Sequence, residues 1–258
     1  MTKIYYFSGT GNSLWSARKI AEIIGGECGF VNIGAEAQKD EVTIEADAVI
    51  LVFPSYAYGL PLIVNRFIKK AVFKTPYIAA FVTYGTSPGG TLAEAGRILK
   101  RKKYKGGVFF GRIPAMENYI AIFGPPKEKT LRKRLAMQRE TTDQGARAVI
   151  ERRTNKINTF RPLSAFVSFL FSFGAKVFYK TYKVVDGCNG CGICVEVCPV
   201  SCITMVNNRP LFSGKCEHCN GCLNWCPQKA VHFGRLKSDT PRYHHPEISV
   251  DDLAGNKG

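Results

Sequence analysis

Cys188-Asn-Gly-Cys191-Gly-Ile-Cys194-Val-Glu-Val-Cys198-Pro199 is followed by Cys216-Glu-His-Cys219-Asn-Gly-Cys222-Leu-Asn-Trp-Cys226-Pro227. Both stretches read C-x2-C-x2-C-x3-C-P. In such a double run, three cysteines of one copy and the distant fourth of the other surround each iron-sulfur cube. The pattern predicts that Cys188, Cys191, Cys194 and Cys226 hold one cluster, and that Cys216, Cys219, Cys222 and Cys198 hold the second. Thiolates at this spacing wrap a cube only if the backbone between them curls tightly, and Asn189, Gly190, Gly192, Asn220 and Gly221 suit that curl. The proline after each fourth cysteine fixes the direction in which the chain leaves.

Two other readings of the cysteines are weaker. A disulfide framework belongs to secreted chains, and Met1 to Phe7 runs into a strand pattern without a charged leader, so a cytoplasmic location is expected. Structural zinc uses C-x2-C pairs, yet it needs two pairs and not two complete four-cysteine runs. Cys28 and Cys202 are left over, and Cys202 is expected to be buried packing and not a ninth ligand.

With 258 residues, the chain is long enough for one α/β domain and a small module. Its net charge of +16 is unevenly placed: residues 66 to 112 carry 11 basic and 1 acidic side chain, and 125 to 183 carry 14 and 4. A basic middle attracts acidic partners: small electron carriers, nucleic acid or anionic lipid.

At the other end, the apolar run from Lys3 to Phe7 leads into Ser8-Gly9-Thr10-Gly11-Asn12-Ser13 and then a helical pattern at Leu14, Ala17, Ile20, Ala21 and Ile24. A strand, a loop of glycines and hydroxyls and a helix start form a phosphate cradle. It is neither a Walker loop nor the dinucleotide fingerprint, because the lysine and the third glycine are missing. The apolar strand Ala48 to Phe53 precedes Pro54-Ser55-Tyr56-Ala57-Tyr58-Gly59, and Ala79 to Val82 precedes Thr83-Tyr84-Gly85 and Gly89-Gly90. In an open parallel sheet all three loops lie at the carboxyl edge of the strands, where ligands bind. A phosphate cradle beside aromatic loops suits a phosphate joined to a flat ring.

These three loops resemble the FMN-binding loops of flavodoxins, and with the double cysteine run the chain from 1 to about 235 resembles the flavodoxin-ferredoxin fusion proteins. The resemblance implies a flavodoxin-like doubly wound parallel α/β sheet followed by a small two-cluster α+β domain. It implies that Ser8, Thr10, Asn12 and Ser13, with the amides of Gly9 and Gly11, hold the FMN phosphate. Pro54, Ser55, Tyr56, Tyr58 and Gly59, with Thr83, Tyr84, Gly85 and Gly89, would border the flavin ring. One departure is the short connection from a weak second strand near Phe30 to Ala48, which leaves little room for a second helix. Ile113-Pro-Ala-Met-Glu-Asn-Tyr119 resembles a Met-x-Asn-Tyr segment of these fusions; it either lines the flavin interface or merely packs.

The expected division is an FMN domain at 1–160, an apolar interdomain helix at 161–183, a cluster domain at 184–235 and a tail at 236–258. A fourth helix is expected over Thr91 to Lys102 and a long basic one over 127 to 158, with an apolar stripe ending at Val149 and Ile157. Leu163 to Tyr179, flanked by Arg161, Lys180 and Lys183 and interrupted by Ser164, Ser168, Ser172, Gly174 and Lys176, is too short and too interrupted to span a bilayer. It is read as a helix buried between the modules, with a helix lying on a membrane surface as the alternative. The tail is expected to be a loose arm with His244 and His245 in solvent.

Functionally, a flavin and two cubes on one chain make an electron relay, its external partner an acidic ferredoxin or flavodoxin. A second reading is a flavin-dependent reductase of a quinone, an activated double bond or oxygen, with Tyr56, Tyr84 or Tyr119 as proton donor. A third is a regulatory binding module that reads redox state or contacts nucleic acid, though nucleic acid is not the expected partner.

Overall fold

The computed structural model describes residues 1–158, 162–234 and 236–254. The chain runs β1 (Thr2–Tyr6), α1 (Asn12–Ile24), β2 (Cys28–Asn32), α2 (Ile33–Glu36), β3 (Thr43–Glu45), β4 (Ala48–Pro54), α3 (Leu62–Lys70), β5 (Val72–Lys74), β6 (Tyr77–Tyr84), α4 (Thr91–Arg101) and β7 (Gly107–Pro114). Then come α5 (Ile120–Phe123), α6 (Glu128–Ile150) and α7 (Pro162–Phe178). Strands β2-β1-β4-β6-β7 form one parallel sheet, while β3 and β5 pair separately. Setting that minor pair aside, the order is 2-1-3-4-5, the doubly wound flavodoxin-like order. The inner strands β4 and β6 are continuous apolar runs because helices cover both their faces, and every residue from Ala48 to Phe53 is buried. The short second connection holds only the four-residue α2.

The cysteine segment adds β8 (Tyr182–Val184), α8 (Ile193–Glu196), β9 (Ile203–Val206), β10 (Arg209–Phe212), α9 (Gly221–Asn224) and β11 (Val231–Phe233), and α10 (Val250–Ala254) follows. Antiparallel pairs β9·β10 and β8·β11 are its only sheets among the described residues. It packs on the carboxyl edge of the large sheet. The core on the α3 and α4 face runs on into Tyr182, Cys198, Cys219 and Leu223, and the core on the α1 and α6 face runs on into Val197 and Trp225. Contact is close: a methyl at Gly34 would sit 1.8 Å from the Pro199 carbonyl oxygen.

Three expectations are corrected. The basic helix stops at Ile150, since Arg152 turns into the left-handed region at φ 50°. Beyond it, the Asn155 amide exchanges two hydrogen bonds with the Phe110 backbone on the edge strand β7, so Ile157 belongs to no helical stripe. The helix at 162–178 is not buried between modules: Leu163, Phe166, Phe169 and Leu170 are 75%, 59%, 67% and 53% exposed. Arg161 and the side chains of Ser172 and Lys176 lie outside the described residues. Finally, the tail is no loose arm, because Tyr243, His245, Ile248 and Leu253 are buried. Trp15 of α1 stacks on buried His245 at 4.9 Å and replaces its solvent, while His244 stays exposed with one face on Trp225 at 3.9 Å. Among the described residues no helix is long and apolar enough to cross a membrane.

Candidate functional site

The loop after β1 is built as a cradle. Gly11 takes φ 91°, which a side chain would oppose, and no side chain caps α1 behind it. The helix therefore offers its first-turn N–H groups and the positive end of its dipole to the loop. Ser8, Thr10, Asn12 and Ser13 are all buried, and the Ser13 hydroxyl meets that of Thr83 at 2.8 Å, joining the first loop to the third. Gln138 of α6 donates to the Asn12 carbonyl (3.0 Å) and the Ser16 hydroxyl (3.1 Å), which fixes the start of α1 from behind.

The second loop is a tight turn in which Tyr56 and Gly59 exchange two backbone bonds of 3.0 Å. Ala57 (φ 45°) and Tyr58 (φ 66°) both occupy the left-handed region, a strain that persists only where the surroundings impose it. Those surroundings are the third loop: Gly90 N–H donates to the Tyr58 carbonyl at 2.8 Å, and a methyl on Gly89 would meet the Tyr58 side chain at 2.2 Å. Ser8, Gly9, Thr10, Asn12, Ser13, Pro54, Ser55, Tyr56, Thr83, Tyr84 and Gly85 line one cleft with Ala115 to Asn118. Gly11 and Gly59 turn away from it, the first toward His245 and Ile248, the second toward Ser168. The cleft opens, through Ser55, Tyr56, Gly85, Glu117 and Asn118, into a cavity of about 240 Å³ that is bordered also by Tyr58, Tyr119, Phe123, Phe171 and His218. Within it the Tyr56 hydroxyl is buried with no hydrogen-bond partner among the described residues. Burial holds its pKa well above the ordinary 10, and the charges of Cys219, Glu217 and Cys216 add to this.

The eight run cysteines fall into two groups. Cys188, Cys191, Cys194 and Cys226 line one small cavity with Pro227 and Met205. Burial first, and then the charges of Cys219, Cys216, Cys198 and, least, Cys194, raise the Cys222 pKa, and Cys198, Cys219 and Cys222 are buried with Cys216 half-buried. Backbone N–H groups point at sulfur: Cys202 to Cys198 Sγ (3.3 Å), His218 to Cys216 Sγ (3.4 Å) and Ala230 to Cys226 Sγ (3.2 Å). The Cys202 thiol lies 3.5 Å from Cys198 Sγ; bonding to the sulfurs of Cys198 and Cys216 pushes its pKa up and that of Cys216 down. Among the described residues no three His, Cys, Asp or Glu side chains converge on a point one ion could fill.

The cradle and the second thiolate group touch. A methyl on Gly9 would sit 2.6 Å from the Cys219 carbonyl oxygen and 3.1 Å from its sulfur. Trp225 donates its ring N–H to the Gly9 carbonyl at 3.1 Å. Asn118 donates to the Thr10 hydroxyl (3.1 Å) and the Cys219 carbonyl (3.2 Å), and Asn224 donates to the Asn118 carbonyl (3.1 Å). The tail closes the same seam: Tyr243 donates to Asn12 Oδ1 at 2.7 Å and His245 N–H to the Thr10 carbonyl at 2.8 Å. The Met116 to Tyr119 segment is thus a bridge. Sequence reasoning missed Trp225, Asn224 and Tyr243, which carry no local signal; the Asn-Tyr pair at 118 was the one hint.

A family described as 4Fe-4S binding domain matches residues 181–204, which include the first cysteine run and not the second. No curated protein matches the chain. Among solved structures it is similar to a Streptococcus pneumonia TIGR4 flavodoxin (16% identity, 59% of this chain and 99% of that one, TM-score 0.40). It is also similar to Megasphaera elsdenii flavodoxin (18%, 57% and 100%, 0.34) and to an azoreductase from Bacillus anthracis str. Sterne (9%, 58% and 100%, 0.40). The 2-1-3-4-5 parallel sheet with its strand-end loops is a flavodoxin-like fold, and the segment that matches the 4Fe-4S family packs on that edge.

Proposed function

We propose that the chain is an electron-transfer protein that binds FMN in the strand-end cleft and two 4Fe-4S clusters on its cysteine runs, and exchanges electrons with an external redox partner. The observation that carries this reading is the seam at Gly9, where the cradle lies against Cys219 with no room for solvent. When bound, FMN exchanges electron pairs for single electrons, which cubes carry one at a time. The chain's own residues do the rest. Ser8, Thr10, Asn12, Ser13 and the uncapped start of α1 would bind the phosphate. The ring would lie among Tyr56, Tyr58, Tyr84 and Gly85, and the unpartnered Tyr56 hydroxyl fits a polar atom of a ligand there. Gly9, Trp225 and Asn118 fix the spacing, and the N–H groups aimed at sulfur help set the cluster potentials.

The partner proposed is an acidic ferredoxin or flavodoxin. Lys74, Lys102, Lys103 and Lys105 gather at the strands' amino edge, opposite the cofactor loops. Such cations steer an approaching carrier; they do not mark where electrons cross. A second reading, a reductase of a small molecule, is favoured by the 240 Å³ cavity beside Tyr58 and Tyr119. Burial pushes the Tyr119 phenol to about 12, so it keeps its proton at neutral pH.

The test is anaerobic purification with iron, zinc and flavin assayed on one sample, followed by reductive titration under visible spectroscopy. About eight irons and one FMN per chain are expected. Stoichiometric zinc with iron near zero overturns the relay. Sustained turnover of a small quinone without any carrier protein moves the reading to the reductase.

A further inference from the structure

Helix α7 is inside out for a helix of a water-soluble surface. Ser168 is 8% exposed and faces Gly59 so closely that a methyl there would lie 1.9 Å from its hydroxyl oxygen. Leu163, Phe166, Phe169 and Leu170 point the other way and are each more than half exposed. A helix packed against protein ordinarily turns its apolar stripe inward, so the packing of α7 reverses what water alone would select. Short α5 buries Ile120 but leaves Ile122 and Phe123 67% and 61% exposed. The two helices meet around one cavity, which Ile122, Phe123 and Phe171 all border, and six exposed apolar side chains on two neighbouring helices are more than scattered singles.

The sequence flanking the two helices is mostly basic, although Glu117 borders the cavity they share. From Arg152 to Val185 the sequence holds seven lysines and arginines and no acidic residue. Lys180 and Lys183, just past α7, are exposed, as are Lys127 and Lys129 just past α5. Glu128, the acidic side chain between these last two, is paired with Arg132. Among the described residues no helix is long and apolar enough to span a bilayer, yet an apolar face flanked by cations is what lies flat at the boundary of headgroups and acyl chains. A protein partner would have to be both apolar and acidic; an anionic bilayer offers both properties at once.

We propose that the α5 and α7 face docks on an anionic phospholipid surface, with Leu163, Phe166, Phe169, Leu170, Ile122 and Phe123 inserted at the interface and the flanking lysines against the headgroups. The inference does not depend on which cofactors are bound. Its test is co-sedimentation of the purified full chain with sucrose-loaded vesicles, either of equal parts phosphatidylglycerol and phosphatidylcholine or of phosphatidylcholine alone, with the F166S/F169S variant beside the wild type. Both phenylalanines are exposed, so the variant is expected to fold, and coincident visible and circular dichroism spectra check this. The wild type is expected to sediment with the anionic vesicles and far less with the neutral ones, and the variant to lose about tenfold or more in partitioning. Wild-type protein left in the supernatant with anionic vesicles overturns the proposal. So does a variant that binds as the wild type does, which would mean charge attraction alone. So does a wild-type dimer in sedimentation velocity without lipid that F166S/F169S abolishes while vesicle binding is absent, since the face would then belong to a second copy.

Discussion

Gly9 carries two demands that meet on one α-carbon. On one side it belongs to the proposed phosphate cradle, where the backbone would approach the phosphate; on the other it faces Cys219, with a methyl 2.6 Å from the carbonyl and 2.7 Å from Cβ. Neither neighbour is the far end of a flexible side chain. Gly9→Ala is therefore expected to push the cysteine loop away and cost about 1–3 kcal/mol of stability, as overpacking does. More tellingly, it should slow electron exchange between flavin and clusters in a rapid-mixing experiment while both cofactors stay bound. An unchanged exchange rate would mean that the seam is not the route. The first of the two demands was legible from Ser-Gly-Thr-Gly-Asn alone, because a glycine after a strand and before a helix has a local reason. The second was not, since Cys219 lies far along the chain and no local pattern couples them.

At the scale of elements, alternating apolar strands and helical periodicities gave away the sheet and its loops, and the short second connection foretold the stunted α2. The errors share one cause: hydrophobic pattern reports what a segment offers, not what the rest of the fold holds ready for it. The largely apolar run of α7 suggested burial, yet Ser168 took the inner face, where Gly59 leaves room only for something small. The tail, polar and rich in proline and histidine, looked solvated, and His244 is exposed, yet Trp15 covers the ring of His245. That burial has a pH signature. His245 is 1% exposed, and desolvation first, then Arg139 and His244, lower its pKa from 6.5 to about 4 against the opposing pull of Glu247. The folded state thus refuses a proton that the unfolded chain accepts. Stability contributed by the neutral ring is full above pH 6.5 and falls as pH drops toward 4, by an amount on the order of 3 kcal/mol. Chemical denaturation at several pH values should show this loss in the wild type and a much shallower one in His245→Gln. Parallel curves would place the acid sensitivity elsewhere.

At the scale of the whole molecule, the cysteine segment is a clasp. Cys198 and Cys202 sit beside Cys216 in the interior, while Cys226, at the far end of the second run, lines the cavity of the first. If each cube takes its fourth ligand from the opposite run, neither run can hold a cluster alone, and the edge of the large sheet is shut by one knot and not two beads. Iron counting resolves this if the substitutions are combined. Cys202 stands 3.5 Å from Cys198 and could take its place, so both become alanine together. C198A/C202A should keep about four of about eight irons. Adding Cys219→Ala should then remove nothing more, because that cluster is already gone, whereas adding Cys191→Ala should bring iron near zero. Were the runs uncrossed, the two additions would exchange their effects: Cys191→Ala would be silent and Cys219→Ala would empty the protein. The flavin content of the same samples reads the clasp itself, since Trp225 and Asn118 tie the second thiolate group to the cradle. Loss of that cluster should loosen FMN, while loss of the outer one, by Cys191→Ala alone, should leave it bound.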